Sequence, residues 1–322
     1  MAETTVAQPC LEGMPPMILD KIVKDIDYKQ IVNLRLVCQK LKTYVDTYRP
    51  NFNLKYISVN AITSGFLIHF GANKEAFEKK NYEKTVMSVD GDDEMRAPLE
   101  ILFLHQKSPL EKLQLNCSLE ENVTGYNKIL EKIQTILTGQ NRQLLVKSFK
   151  IDAQTEDQVM RVLPYLDPGI LRSIHIKNPH QFNMSEANTF MEIERLKGLD
   201  QWKEAKKFGA FDLLINAQIT ELDHFNSFDV TVDTLHMSHV IMLKEKFAAS
   251  PTEKSARIRY RNLNQDAEIP EGNHIGDGNY EYPVPNENMR LRLRLDKNSV
   301  DIRKELYPEP WARREFYPVP EI

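Results

Sequence analysis

Apolar residues recur at three- and four-residue intervals through the first organised segment of the chain, from Met14 to about Tyr48. Pro15 and Pro16 favour the start of a helix. The apolar face that follows contains Ile18, Leu19, Ile22, Val23 and Ile26. Asp27 is the expected N-cap of a second helix that carries Ile31, and a third predicted helix contains Leu34, Val37, Cys38, Leu41 and Val45. The pattern predicts three short amphipathic helices over residues 14–48.

This three-helix module is too small to be stable alone. Domains of about 35 residues bury too little apolar surface to offset their ordering entropy unless a disulfide, a metal or a partner assists. The apolar face must therefore be covered, either by the rest of this chain or by another protein. Periodicity alone favours packing on the rest of the chain.

Beyond Pro50 the pattern changes to alternating strands and helices. Apolar residues at the first, fourth and sixth positions, the spacing of a leucine-rich-repeat strand, occur in segments 54–59, 110–115, 146–151, 171–176, 208–213 and 225–230. A further match at 232–237 falls in a segment that favours a helix, and the intervals between segments are irregular. We therefore predict irregular, leucine-rich-repeat-like βα units rather than a regular solenoid.

Amphipathic helices are predicted at 94–107, 124–137, 156–163, 199–208 and 235–249. Strands separated by helices favour a curved, largely parallel sheet with helices on one side. Near the C-terminus, strands that flank a four-residue turn at 296–299 predict a hairpin over 289–305. Residues 306–322 are rich in proline and aromatic residues and predict an extended tail. The expected fold class is α+β to α/β.

Composition restricts the class of protein. The chain has 322 residues, of which 41% are hydrophobic and 27% charged, as in an ordinary globular protein. Its net charge of -4 gives no general reason to expect nucleic acid. No secretory signal and no membrane-spanning segment is evident, so the cytoplasm or the nucleus is expected. The three cysteines, Cys10, Cys38 and Cys117, are expected to be reduced thiols.

No set of residues predicts catalysis or metal binding. His236 and His239 have the spacing of metal ligands on a helix, but no third ligand lies at a matching spacing, which favours surface histidines. The acidic stretch 90–95 opens like a calcium loop but lacks the required glycine and glutamate, so a solvated turn is predicted. Cys38 lies among apolar residues, which favours packing over reactivity. We expect no enzymatic activity, no cofactor and no metal.

Arginines alternate with other residues in two predicted strands. They are Arg257, Arg259 and Arg261 in the first, and Arg290, Arg292 and Arg294 in the second. Alternation places each trio on one face of its strand. Such a stripe fits nucleic acid, an acidic protein surface or the solvated face of an edge strand, where positive charge blocks unwanted pairing. The negative net charge favours the solvated face.

The N-terminal module resembles an F-box. That motif normally runs Leu-Pro, spaced aliphatic residues and a closing Leu-Arg-x-Val-Cys-Lys-x-Leu, and this chain has Met14-Pro15 and LRLVCQKL at 34–41. Met14 and Gln39 are mild departures. The resemblance implies a three-helix module that binds the small adaptor subunit of SCF-type cullin-RING ubiquitin ligases. The adaptor-binding residues that it implies are Met14, Pro15, Ile18, Leu19, Ile22, Ile31, Leu34, Val37, Cys38 and Leu41.

A second resemblance covers residues 144 to 262. The run VLPYLDPGILRSIHI at 162–176, followed by LDQWKEAKKF, HFNSF and a helix ending MLKEKFAASP, is similar to the FTH domain found behind F-boxes of the A type in a large nematode family. The expected organisation is a disordered N-terminus at 1–13, the F-box-like module at 14–48, a linking βα region at 50–143, the FTH-like domain at 144–262, a loop at 263–288, the hairpin at 289–305 and the tail at 306–322.

Together these resemblances imply a non-catalytic substrate receptor of a ubiquitin ligase. The F-box would hold the adaptor, and the βα domain would bind an unknown protein target, with no membrane and no nucleic acid involved. The alternative is a stand-alone interaction scaffold whose N-terminal helices cap its own core. Burial of Ile18, Ile22, Val37 and Leu41 against residues after Pro50 would favour the scaffold, whereas an exposed apolar patch would favour the receptor.

Overall fold

The chain folds into two compact units. The structure, a computed structural model, describes residues 11–24, 26, 28–62, 65–78, 83–86, 92–117, 123–179, 190–268, 272–276, 278–282, 284 and 289–306. The first unit contains Met1–Lys150 and Gln158–Leu171, and the second contains Ile151–Asp157 and Arg172–Ile322. The predicted N-cap Asp27, the residue Cys10 and nearly all of the predicted tail lie outside the described residues. Among those described, no helix has the length and apolar character needed to cross a membrane.

The first unit combines the N-terminal helices with a mixed sheet. Its helices are α1 (Pro16–Lys24), α2 (Tyr28–Val37), α3 (Gln39–Tyr48), α4 (Lys74–Glu78), α5 (Asp92–His105) and α6 (Val123–Thr138). Its strands include β1 (Tyr56–Ile62), β2 (Gly65–Gly71), β3 (Glu83–Val86) and β4 (Lys112–Cys117), in the order β3-β2-β1-β4. Strand β1 is parallel to β4 and antiparallel to β2, and β2 is antiparallel to β3. A short 3-10 helix at Leu11–Gly13 lies within the stretch predicted to be disordered.

Helices α5 and α6 pack against each other and supply much of the apolar core of this unit. Their fully buried side chains include Leu99, Leu102 and Phe103 on α5 and Ile129, Leu130 and Ile133 on α6. Both helices were predicted, but α5 begins earlier, at Asp92, so the turn predicted at 90–95 is wrong from that residue onward.

Both units contribute residues to β5 (Ser148–Asp152) and α7 (Glu156–Met160). The second unit then contains β6 (Ser173–Lys177), β7 (Phe190–Glu192), α8 (Glu194–Gly198), α9 (Asp200–Glu204), β8 (Lys207–Asn216), β9 (Ser227–His236), α10 (Met237–Ala249), β10 (Lys254–Asn264), β11 (Asn273–Gly276), β12 (Asn279–Tyr282), β13 (Met289–Asp296) and β14 (Ser299–Leu306). The strand order is β6-β8-β9-β10-β14-β13-β12-β11, and β7 also pairs with β8.

The sheet of the second unit is mixed rather than largely parallel. Strands β6, β8, β9 and β10 are parallel, whereas the pairings from β10 through β14, β13 and β12 to β11 are antiparallel. The predicted loop at 263–288 is therefore wrong where it includes β11 and β12. These strands have four residues each, too short for their pattern to be distinguished from a loop. The predicted hairpin is confirmed, with Asp296 paired to Ser299 across its turn.

Strand and helix boundaries differ from the prediction in an informative way. The five segments at 54, 110, 146, 171 and 225 each begin two residues before their strand, so the leading apolar residue precedes the strand. Strand β9 continues to His236, so residues 232–236 of the match at 232–237 are strand, and α10 begins at Met237. Helix α9 ends at Glu204, well before the predicted 208, because β8 begins at Lys207.

An aromatic cluster forms part of the core of the second unit. Trp202 on α9 is 2% exposed, and its ring lies 4.7 Å from Phe208 and 5.1 Å from Phe225, measured between centroids. The imidazole Nε2 of His224 is 3.1 Å from the carbonyl oxygen of Trp202. Helix α9 has only five residues, so we infer that packing of its tryptophan stabilises it.

Candidate protein interface on the three-helix module

The junction between α2 and α3 lies at Cys38. The backbone of Cys38 is extended, with φ -159° and ψ 164°, between helices that end at Val37 and begin at Gln39. The prediction of one helix from Leu34 to Val45 is therefore wrong. An extended N-cap residue is the normal start of a helix. The three- and four-residue apolar spacing of LRLVCQKL continues through this junction, so spacing alone does not reveal that one helix ends and another begins.

Two polar contacts fix the three helices to one another. The hydroxyl of Tyr44 on α3 donates to the carboxylate of Asp20 on α1 over 2.6 Å. Burial and this carboxylate raise the pKa of Tyr44, so the hydroxyl remains a donor at physiological pH. Arg35 on α2 donates through Nε and a terminal nitrogen to the two carboxylate oxygens of Asp46 on α3, over 2.6 and 3.3 Å. A bidentate pair of this kind restricts orientation as well as adding energy.

Three of the ten predicted adaptor-binding residues form the core of the module. Leu19, Ile31 and Leu41 are 2%, 0% and 1% exposed. They therefore hold the helices together and leave little of their own surface for a partner. Spacing could not separate them from the outer residues, because a helix in a small module is apolar on both its inner and its partner-facing sides.

The other seven predicted residues reach the surface to different degrees. Pro15, Ile18 and Val37 are exposed, Val37 to 69%. The remaining four are half-buried and are Met14, Ile22, Leu34 and Cys38. The thiol of Cys38 is free.

Two surface residues were missed by the sequence pattern. Met17 is 68% exposed and Leu36 is 76% exposed, values close to the 69% of Val37 in the predicted set. Both lie next to a predicted residue but off the three- and four-residue spacing, so the signal that identifies the inner face excluded them. An apolar residue that interrupts the polar side of an amphipathic helix is the signal that would have found them.

Exposed apolar side chains are concentrated on this module. Among the described residues, seven large hydrophobic side chains are exposed, and five of them belong to the module. These five are Met17, Ile18, Leu36, Val37 and Tyr48, and the other two are Phe190 and Leu306. Single exposed apolar residues are normal on a protein surface, whereas a concentration of them indicates an interaction site.

The module is anchored to the rest of the first unit by aromatic stacking. The ring of Tyr28 at the start of α2 meets Phe52 and Phe70 edge-on, at 4.6 and 4.4 Å between centroids. Phe52 in turn stacks on His105 at the end of α5, at 4.5 Å. The module therefore covers part of this core through Tyr28 while its outer apolar residues remain exposed.

Polar side chains attach the segment after α3 to the end of α5. The Gln106 side chain accepts from the backbone nitrogen of Leu54 at 3.0 Å and donates to its carbonyl oxygen at 2.9 Å. The carboxamide oxygen of Asn51 accepts from the backbone nitrogen of Lys107 at 2.9 Å. Arg142 donates to the carbonyl oxygens of Phe103, Leu104 and Gln106 at the C-terminus of α5. These contacts give the module a fixed rather than a free connection.

A pH dependence follows from His105, which is 3% exposed. Its Nδ1 lies 3.0 Å from the carbonyl oxygen of Pro50, so this nitrogen carries the donated proton. Burial, followed by the positive charges of Lys107 and Arg49, lowers the pKa of His105 from 6.5 to about 4. Between these values the unfolded chain binds a proton that the folded chain does not. The free energy of unfolding should therefore fall by about 3 kcal/mol as pH decreases through this window.

Urea denaturation at several pH values between 7 and 4 measures this effect. We expect His105→Asn, which keeps a donor for Pro50, to show a shallower loss of stability than the unchanged chain. His274→Asn makes the same replacement at an exposed histidine and is the matched control variant. Equal pH dependence in the unchanged chain and in His105→Asn would show that His105 does not carry the effect.

The remaining predicted sites have structural explanations. The rings of His236 and His239 lie 5.2 Å apart, and Nδ1 of His236 is 3.2 Å from the carboxylate of Asp266. That carboxylate also accepts from the backbone and the hydroxyl of Ser238, which lowers the pKa of Asp266 to about 2. It thereby caps the start of α10. No cluster of three metal-ligating side chains occurs within the described ranges.

The two arginine stripes are not on edge strands. β10 lies between β9 and β14, and β13 lies between β14 and β12. The interpretation as edge-strand protection is therefore wrong. The two stripes instead lie on one face of a continuous sheet beside strands that carry carboxylates, and many of the arginines form ion pairs with them.

Comparison with known families identifies the region behind the module. Residues 127–269 match the model of the FTH domain. The chain contains an FTH domain. The match begins before the predicted 144 and ends after the predicted 262, so the FTH domain includes most of α6 and all of β10. Trp202 and its aromatic neighbours lie inside it. No curated protein and no solved structure matches the chain.

Proposed function

We propose that this chain is a non-catalytic substrate receptor of an SCF-type cullin-RING ubiquitin ligase. In this proposal the three-helix module is an F-box that binds the adaptor subunit. The regions behind it, including the FTH domain, bind a protein target. The site of action is proposed to be the cytoplasm or the nucleus.

The observation that carries the proposal is the exposed apolar surface of the module in front of an FTH domain. Five of the seven exposed large hydrophobic side chains among the described residues lie on these three helices. Four residues were chosen above to distinguish a receptor from a scaffold by their burial. Of these, Ile18 and Val37 are exposed, Ile22 is half-buried and Leu41 is buried. The F-box-like order of Met14-Pro15 and LRLVCQKL supports an adaptor as the partner of this surface.

The proposed mechanism requires no catalytic group in this chain. A receptor increases the effective concentration of a target lysine near a ubiquitin-loaded enzyme held elsewhere in the complex. Rigidity between the bound adaptor and the target-binding region helps, because a fixed geometry loses less conformational entropy on forming the complex. Within the first unit, the contacts of Gln106, Asn51 and Arg142 fix the segment that follows the module to the end of α5.

Size-exclusion chromatography of the full chain mixed with purified adaptor subunit tests the proposal. We expect the two proteins to co-elute as one complex at micromolar concentration. Separate elution, with a folded chain by circular dichroism, would overturn the proposal and favour the stand-alone scaffold. The residues responsible are tested by substitution of Val37, as argued in the Discussion.

A further inference from the structure

The second unit has two chemically different sheet faces. Helix α10 packs against β9, β10, β13 and β14 and covers their apolar side chains. From that side Lys304 donates to the carbonyl oxygens of Ala248 and Ser250 at the end of α10, and Lys244 lies over the ring of Tyr282. The opposite face carries the two arginine stripes. The face away from α10 is therefore a polar surface supported by a rigid apolar layer.

Charges on this polar face alternate from strand to strand. Carboxylates on β9 and β14 flank the arginines of β10, and Glu305 on β14 pairs with Arg290 on β13 over 2.7 Å. Opposite charges on neighbouring strands stabilise a sheet, whereas like charges directly opposite each other destabilise it. Most of the face therefore needs no ligand to be stable.

Arg303 interrupts this alternation. It lies on β14, between carboxylates, and directly opposite Arg292 of β13. Arg303 binds both carboxylate oxygens of Asp301 over 2.7 and 2.8 Å, and Arg257 approaches the same carboxylate at 3.2 Å. Asp301 is therefore already occupied. Arg303 and Arg292 therefore place two positive charges on directly opposed positions of neighbouring strands.

The arginines of β13 have unused hydrogen-bonding capacity at this point. Among the described residues the Arg292 side chain makes only long ion pairs, 3.6 Å to Glu305 and 3.7 Å to Glu281, and its buried Nε has no hydrogen-bond partner. Within the part of the chain that the structure describes, the Arg294 side chain donates through Nε alone, to Asp296 over 3.1 Å. A guanidinium carries five N–H donors, so the donors exceed the acceptors here.

These arginines line a concave site of about 400 Å³. Four arginines and three carboxylates surround it, which leaves an excess of one positive charge. The four are Arg257, Arg292, Arg294 and Arg303, and between 43% and 59% of each side chain is exposed. Guanidinium groups that line one concave site supply several N–H donors, which match an anion with several oxygens.

We propose that this arginine pocket binds a phosphorylated serine or threonine of the target protein. The assignment of a target rests on the proposed receptor function. A phosphate monoester presents three terminal oxygens, which are enough to accept hydrogen bonds from Arg292 and Arg303 together. Its negative charge also offsets the repulsion between these two guanidinium groups. A nucleic acid fits less well, because it requires an extended positive surface, whereas this face alternates in sign outside the pocket.

Fluorescence anisotropy with labelled degenerate peptide libraries tests this inference. The libraries share one design, with phosphoserine, serine or glutamate fixed at the centre, and the protein is the full chain. We expect the phosphoserine library to bind at least about 10-fold more tightly than the serine library, as charge-assisted hydrogen bonds predict. Arg292→Gln and Arg303→Gln should each remove most of that preference. Arg292→Lys should retain part of it, because lysine keeps the charge but loses the fork.

Arg259→Gln is the matched control. It removes the same charge from the same face, but Arg259 is paired with Asp229 outside the pocket. Equal binding of the phosphoserine and serine libraries would overturn the inference, and so would an equal loss in Arg259→Gln. Unchanged thermal unfolding midpoints of the two pocket variants exclude a folding defect. Adaptor co-elution is measured on the same proteins. Loss of phosphopeptide preference and loss of adaptor binding are therefore distinguishable results.

Discussion

Val37→Asp is expected to abolish co-elution of the chain with the ligase adaptor. Val37 is 69% exposed at the end of α2, beside Leu36 at 76%, so a charge there costs the free chain little. In a desolvated interface, an unpaired carboxylate costs several kcal/mol, and a loss of about 3 kcal/mol corresponds to more than 100-fold in affinity. Isothermal titration calorimetry with purified adaptor measures the loss. Ile18→Asp should act in the same direction through α1.

Thr43→Asp is the control for charge alone. Thr43 is exposed on α3, on the side away from the buried Leu41 and Val45, so the same carboxylate is introduced on the same module. We expect it to change adaptor affinity by less than about 3-fold, as for a charge outside an interface. Full adaptor binding by both Val37→Asp and Ile18→Asp would contradict the assignment of this surface. Circular dichroism of each variant confirms that the module is still folded.

The exposed surface of the module was only partly predictable from sequence. Three- and four-residue spacing identified the apolar residues, but it could not decide which of them point inward. Leu19 and Ile18 are neighbours on α1 with the same chemistry, yet one is 2% and the other 37% exposed. The difference depends on where α3 packs, which is set by contacts between residues distant in sequence, such as that of Tyr44 with Asp20.

Long-range pairing also explains the errors in the sheets. The strands with regular apolar spacing, such as β1, β4 and β6, were predicted close to their positions. Strand β2 was missed because GFLIHFG is buried on both faces and lacks alternation. The arginine stripes were placed on one strand face correctly, but the order of strands was unknown. Only that order places Arg303 opposite Arg292 and distinguishes the pocket from an ordinary charged face.

Trp202→Ala is expected to destabilise the FTH domain by about 3–5 kcal/mol, the range for removal of a buried tryptophan. The side chain is 2% exposed and contacts Phe208 and Phe225, which stack on each other at 5.5 Å. Its removal leaves a cavity between rigid aromatic rings that cannot collapse into it. Because domains are stable by only about 5–15 kcal/mol, a large fraction of the total is lost. Urea denaturation followed by circular dichroism measures the change.

Two further variants make the Trp202 result specific. Trp202→Phe should recover part of the loss, because a smaller ring still fills some of the space between Phe208 and Phe225. Phe190→Ala removes an aromatic side chain that is 39% exposed in the same unit and should cost less than about 1 kcal/mol. A cost for Trp202→Ala as small as that of Phe190→Ala would mean that α9 is not held by its tryptophan. We also expect Trp202→Ala to bind the adaptor at urea concentrations below its denaturation transition. The contacts of the module with Phe52 and Phe70 do not involve Trp202.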